Sequence, residues 1–248
     1  MENLAFGIMT MKNREFDELI GQMGKCQRCL NMYKREKNCS LINIYEQNDM
    51  SKNIPSIWTD WYNRLDADIM VIGQDWGPYE EMKRLNKQYL ENKNSETWFN
   101  LMECEKSLTK RMLTRYLKES AELNGLEIDP DYINRIYITN AIMCARNGNN
   151  YRGDNIKLRE CTLNCSEYLK RQIEIVKPKV IVTLGYYPLL SLAHIYDFSL
   201  PKTLKDAILE HSLIEIDNCF IIPLYHPSAQ ISKEKQLEQY KKIWQYVK

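Results

Sequence analysis

Three polar residues stand just beyond three apolar runs, and together they have the makings of a hydrolytic site. One run passes directly into Gly73-Gln74-Asp75-Trp76-Gly77, a second ends at Asn140, and another leads into Tyr225-His226-Pro227-Ser228. A carboxylate can activate water, an imidazole can stabilise negative charge as it develops, and a carboxamide can read the edge of a polar ring. Singly, each has a plainer origin. An Asp in a Gly-containing turn is often a turn former or helix N-cap, Asn often closes a strand, and a lone His is usually structural. His194 and His211 are read in that structural way. The coincidence of three such residues at three strand ends favours a site.

The cysteines form a second constellation. Among 8 cysteines, Cys26-Gln27-Arg28-Cys29 is a CxxC, Cys144 follows the second apolar run, and Cys161 and Cys165 open a helical segment. A chain of intracellular character does not use such cysteines as a disulfide framework. The CxxC lacks the strand–helix context of a thioredoxin-like redox pair. Four thiolates bind either zinc or an iron–sulfur cluster, and spacing alone does not separate them.

The elements that must position these groups are legible as short buried strands alternating with helices. The strands are expected at Asp68–Gly73, Arg135–Thr139, Lys179–Leu184 and Cys219–Leu224. Helices are expected over Glu105–Asn124, from Cys161 or Cys165 to Val176 before Pro178, from near Pro188, and over Glu234–Val247. This alternation predicts a three-layer α/β/α fold around a central, mostly parallel four-stranded sheet. Ligands of such sheets bind beyond the carboxyl ends of the strands, where Asp75, Asn140 and His226 fall. The stretch Asn38–Asn63 reads as irregular and Lys83–Ser95 as a charged insertion. One domain over residues 1–248 is the expectation.

Composition constrains less. The chain has 248 residues, 44% hydrophobic and 27% charged, with 34 Lys and Arg against 33 Asp and Glu and a net charge of +1. Proteins that grip DNA through phosphates are usually more basic, so charge gives nucleic acid no positive support. No apolar run approaches the roughly 20 residues of a membrane span. The N-terminal stretch lacks the basic start and apolar core of a signal peptide. A soluble, cytoplasmic, monomeric protein is expected.

Several of these segments, taken together, resemble one family. Tyr137–Cys144 (YITNAIMC), followed by Arg146 and Asn149-Asn150-Tyr151-Arg152, resembles its strand ending in Asn, then a Cys and an Asn/Arg-rich loop. Cys165–Gly185 is similar to its helix–Pro–strand segment, and Tyr225–Ala229 (YHPSA) to its second active-site motif. The family is the uracil-DNA glycosylase superfamily, nearest to its iron–sulfur branch. The likeness runs from about Cys26 to Ser232 and is densest from Arg135 onward.

That resemblance implies a structural [4Fe-4S] cluster on Cys26, Cys29, Cys144 and Cys165, tying the N-terminal segment to the core, with zinc as the alternative metal. Cys161 remains a substitute for Cys165, and Cys39, Cys104 and Cys219 are expected to be non-ligands. The first motif departs from the branch, which has GEAPG there. Gly73-Gln74-Asp75-Trp76 looks more like the start of the GQDPYH motif of cluster-free uracil enzymes, with Trp76 in place of Pro.

The resemblance implies base excision repair of uracil-containing DNA, with the damaged nucleotide flipped into a closed pocket. Asp75 would orient the water and stabilise the cationic sugar. His226 would donate to the uracil O2, and Asn140 would bind the N3–H and O4 edge. Gly73, Gln74 and Trp76 would complete the pocket, with Ser228 beside His226. Phe99, or else Trp98, would stack on the base, and Ala229-Gln230-Ile231 would enter the minor groove. Lys106, Lys110, Arg111 and Arg115 read more readily as a solvated helix face than as a phosphate site. A hydrolase for another base lesion, or a non-catalytic binding member of the fold, are the alternatives. Retention of Asp75, Asn140 and His226 together argues against the latter.

Overall fold

The computed structural model describes residues 2–29, 41–45, 61–84, 108–128, 136–146 and 157–247. Cys39, Trp98, Phe99, Cys104, Lys106, the Asn149–Arg152 run and nearly all of the Lys83–Ser95 insertion lie outside these residues.

Four strands carry the centre of the molecule: β2 (Ile69–Gly73), β3 (Ile136–Asn140), β5 (Val180–Leu184) and β7 (Cys219–Leu224). Each is an almost unbroken apolar run because both of its faces are covered. Ile69, Val71, Ile136, Ile138, Val180, Val182, Ile222 and Leu224 face one helical layer. Met70, Ile72, Tyr137, Ile181 and Ile221 face the other. The strands pair in parallel in the order β3-β2-β5-β7.

The expectation of four strands is corrected by a fifth. β6 (Ile214–Ile216) pairs antiparallel with β7 at the sheet edge. It is three residues long and none of them is fully buried, so it has no apolar run to announce it. A separate two-stranded ladder joins β1 (Leu41–Ile42) to β4 (Ala145–Arg146), inside regions read as irregular or loop.

One helical layer holds α1 (Glu2–Gly24), α3 (Leu158–Val176), α4 (Tyr186–Tyr196) and the short α5 (Leu204–Glu210). Phe16, Leu19, Ile20 and Met23 give α1 a buried stripe at helical spacing. α3 begins earlier than expected and stops where Lys177 turns left-handed before Pro178. The opposite layer holds α2 (Leu108–Glu122), α6 (Lys233–Tyr240) and a 3-10 turn over Lys241–Gln245, packed through Leu113, Tyr116, Leu117, Tyr240, Ile243 and Trp244. The outer edge of β3 is capped by side-chain donors. Trp61 Nε1 donates to the Ile138 carbonyl at 2.8 Å and Arg64 to the Ile136 carbonyl at 3.1 Å. Among the described residues no helix is long and apolar enough to cross a membrane.

The order of the strands locates the crevice. From β2 the chain goes to β3 on one side, then crosses to β5 and β7 on the other. The switch therefore falls between the carboxyl ends of β2 and β5, where open parallel sheets bind ligands.

Candidate active site and cysteine pocket

Beyond the ends of β2 and β3 the ladder continues into the loops. Ala141 N–H donates to the Gly73 carbonyl (2.8 Å), Ile142 N–H to Gln74 (2.9 Å) and Arg146 N–H to Gly77 (3.0 Å). Trp76 Nε1 donates to the Met143 carbonyl at 2.9 Å. The segments 73–77 and 140–146 are thereby zipped side by side. Gly73 and Asn140 are register partners, and the buried Asn140 carboxamide lies across the Gly73 Cα. A Cβ there would overlap Asn140 Oδ1, so any larger residue must push that carboxamide aside.

Asp75 sits in this loop with its carboxylate fully oriented. Oδ1 accepts from Gly77 N–H at 2.9 Å; Oδ2 accepts from Gln74 Nε2 at 2.9 Å and from Arg146 Nη2 at 2.6 Å. The Arg146–Asp75 pair is nearly buried, with side-chain exposures of 10% and 7%. An ionised carboxylate offers about four acceptor sites. Among the described residues Oδ1 has a single donor, which leaves it able to accept from water.

His226 follows β7. Its Nδ1 lies 2.8 Å from Ser228 Oγ and 3.4 Å from the Ser228 backbone N–H. A backbone N–H can only donate, so Nδ1 is the acceptor and the ring proton belongs on Nε2. Burial pushes the imidazole below its ordinary 6.5, with the charge of Asp75 pulling the other way. His226 is thus held neutral, with Nε2–H as a donor, within electrostatic reach of Asp75. Its carbonyl is fixed by Gln236 Nε2 at 3.2 Å.

Between the β2 and β7 ends, β5 finishes in Gly185 with φ of 101°. A Cβ there would meet nothing within 4 Å. The carboxyl end of β5 lies between those of β2 and β7, the strands that lead into the loops of Asp75 and His226.

The Trp76 indole is committed elsewhere. Besides its bond to Met143 it packs edge-on against Trp61, ring centroids 5.6 Å apart. Trp61 in turn stacks on Tyr137 at 5.9 Å. The substitution for Pro thus serves the packing of the loop.

The CxxC, Cys144 and Cys165 come together from separate places in the chain. Cys26, Cys29, Cys144 and Cys165 line one pocket with Met23, Asn43, Tyr45, Met143, Asn164 and Tyr168. Cys161 and Cys165, four residues apart, share a face of α3, and both lie within hydrogen-bond reach of Cys29. That sharing, from Cys161 first, draws the Cys29 thiol down, while burial pushes Cys144 up to about 12. Cys161 is fully buried in a cluster with Cys29, Leu41, Ile142 and Cys144, and it is not among the residues lining the pocket. Among the described residues no three His, Cys, Asp or Glu side chains surround a common metal-ion position. Cys219 lies away from the pocket on β7.

Two residues of this region escape a reading by sequence. Arg146 is the ion-pair partner of Asp75. Asn43 anchors the CxxC, its Nδ2 donating to the carbonyls of Met23 (2.9 Å), Gly24 (3.1 Å) and Cys26 (3.0 Å). The basic series on α2 behaves as a solvated face where it is described, with Arg115 pairing Glu119 at 2.7 Å.

A carboxylate, a carboxamide and a buried imidazole stand at the carboxyl ends of a parallel sheet, where α/β proteins of this layout bind ligands. The family model described as the Uracil DNA glycosylase superfamily matches residues 59–248, and the chain belongs to that superfamily. The CxxC lies before the matched region. A Type-4 uracil-DNA glycosylase of Sulfurisphaera tokodaii is 33% identical over 144 residues, covering 54% of this chain and 57% of the relative. A Type-5 uracil-DNA glycosylase of Pyrobaculum aerophilum is 22% identical over 176 residues (68% and 66%). A Type-4 enzyme of Archaeoglobus fulgidus is 27% identical over 109 residues (42% and 51%). The chain thus spans between 51% and 66% of the length of these curated relatives.

Proposed function

We propose that the protein is a uracil-DNA glycosylase, hydrolysing the N-glycosidic bond of uracil in DNA after the nucleotide is flipped from the duplex. The observation that carries this reading is the placement of a firmly oriented Asp75 and a buried His226, within electrostatic reach of each other, beyond the ends of β2 and β7 in one sheet. When the C1′–N1 bond breaks, its electrons leave with the base and the sugar becomes cationic. His226 Nε2–H donates to the oxygen that gains charge, acting as an oxyanion donor. Asp75 Oδ1 orients the water whose oxygen bonds C1′. The water's proton leaves, the departing base takes up a proton, and the products are an abasic sugar and free uracil. Asn140, fixed over Gly73, is suited to the N3–H and O4 edge. The Trp76 indole, turned to Met143 and Trp61, leaves the backbone of Gly73–Trp76 to line the pocket, which supports uracil over a reshaped specificity.

We read Cys26, Cys29, Cys144 and Cys165 as the ligands of a [4Fe-4S] cluster within a single domain spanning 1–248. Four thiols lining one pocket fit such a group. Zinc, which four thiolates hold at about 2.3 Å, is the alternative occupant, and iron content against zinc content of the purified protein separates the two. The bound cluster would supply a structural cross-link between the CxxC and the core, with no part in the hydrolysis. The protein is expected to act as a monomer in the cytoplasm.

The test is release of uracil from a labelled oligonucleotide carrying one uracil, single- and double-stranded. Wild type should cleave, and Asp75→Asn and His226→Ala should each lose on the order of 100-fold or more in rate. No release by wild type from either substrate would overturn the reading.

A further inference from the structure

The residue that holds Asp75 is as well placed as Asp75 itself. Arg146 is fixed from two sides: its backbone pairs with Leu41 in the β1–β4 ladder and donates to the Gly77 carbonyl at 3.0 Å. From that anchored backbone Nη2 reaches Asp75 Oδ2 at 2.6 Å in a nearly solvent-free setting. Gln74 Nε2 takes up the remaining acceptor site of Oδ2, at 2.9 Å. The carboxylate can therefore neither rotate about its axis nor exchange its two oxygens without breaking charge-assisted bonds.

We propose that Arg146 is a positioning residue for the hydrolysis: by occupying Oδ2 it makes Oδ1 the oxygen presented to water. The inference rests on the glycosylase reading above. A guanidinium suits the task because it is planar, always charged and directional, whereas a lysine would supply charge without the fork. With its side chain only 10% exposed and its Nη2 on Asp75, Arg146 is assigned a role that runs through that carboxylate.

Single-turnover uracil release by the metal-loaded full chain tests this with Arg146→Gln, Arg146→Lys, Asp75→Asn and the Arg146→Gln/Asp75→Asn double variant. A carboxylate displaced by about an ångström costs on the order of 100-fold in rate. Arg146→Gln should therefore fall about that far in the saturated rate, while half-saturation by DNA stays within about twofold. Added guanidinium should restore part of the loss, and Arg146→Lys should lie between. In the Asp75→Asn background Arg146→Gln should cost less than about threefold, because residues acting as a unit are not additive. Iron content and melting temperature report whether each variant folds. If Arg146→Gln does not, Arg146→Lys is carried through the same cycle with Asp75→Asn.

Full multiplication of the two losses, or an Arg146→Gln rate within about threefold of wild type, would overturn the inference and leave the glycosylase reading standing. Wild type that releases no uracil overturns both.

Discussion

Replacing Gly73 by alanine is the smallest change that separates the geometry of the site from the stability of the fold. The added Cβ would stand well under 3.0 Å from Asn140 Oδ1, where ordinary contact begins at 3.4 Å. The next neighbours, Asn140 Cγ at 3.6 Å and the Thr139 carbonyl at 3.8 Å, are already in contact range and do not obstruct. The strain therefore falls on one carboxamide, which must withdraw by roughly 1 Å, a displacement worth on the order of 100-fold in rate when the group orients substrate. The fold loses little: overpacking of about 1 kcal/mol corresponds to roughly 2–4 °C in melting temperature for a chain of this size. Single-turnover uracil release and thermal melting on the same preparations give both numbers. An alanine variant within about threefold of wild-type rate would refute the argument that Asn140 must lie against a bare Cα to read the base. A variant that melts more than about 10 °C lower would instead show that Gly73 is needed for the β2–β3 pairing itself.

Protonation of His226 would place a cation beside Asp75 and compete with water for its carboxylate. Because burial lowers the imidazole below 6.5, the neutral form persists to lower pH than in a free histidine. The acid-side fall in the rate of uracil release should have its midpoint below 6.5; loss of half the rate already at about pH 7 would contradict this sign. Asn43→Ala removes a carboxamide that serves the Met23, Gly24 and Cys26 carbonyls. It should cost about 2 kcal/mol, on the order of 5 °C by melting, and an unchanged melting temperature would show the anchor to be idle. Cys144→Ser should abolish visible absorbance and bound iron in anaerobically purified protein, whereas Cys161→Ser should keep about four irons per chain. Iron retained by Cys165→Ser and lost by Cys161→Ser would exchange those two assignments.

What the sequence discloses follows from where the burial is. β2, β3, β5 and β7 are buried on both faces, so their composition alone marks them, and the residues after their carboxyl ends can be read as a site before any contact is known. Ile214-Glu215-Ile216 is too short and too exposed to stand out. The stripe Phe16, Leu19, Ile20 and Met23 was present to be read as α1, but it is diluted by the charged residues between. Asp75 and His226 are legible because their types suggest chemistry. Arg146 and Asn43 are not, because each matters only through the partner that the tertiary fold brings to it. Arg146 did stand within a recognisable segment, two residues after Cys144. Its role needed the zipped loops, since 71 residues separate it from Asp75 along the chain.

Those loops also explain how a metal site without reactive chemistry would matter to hydrolysis. Asn140 is in the last register pair of β2 and β3, and Asp75 lies beyond it, where loops ordinarily gain mobility. Here the pairing persists through Ala141, Ile142 and Arg146, and Cys144 lies inside the same stretch. Met143, which lines the cysteine pocket, gives its carbonyl to Trp76 and its sulfur to Gln172 Nε2 at 3.4 Å and Tyr45 Oη at 3.9 Å. The wall of the cysteine pocket is thus the back of the loop that carries Asp75. A rigid group clamped by Cys144, Cys165 and the CxxC would hold that wall from behind, limiting the excursions of Asp75 and Asn140 without touching substrate. Rigidity of this kind acts on rate through the positions of residues that already carry the chemistry. A cluster in this pocket therefore need not change oxidation state to be required.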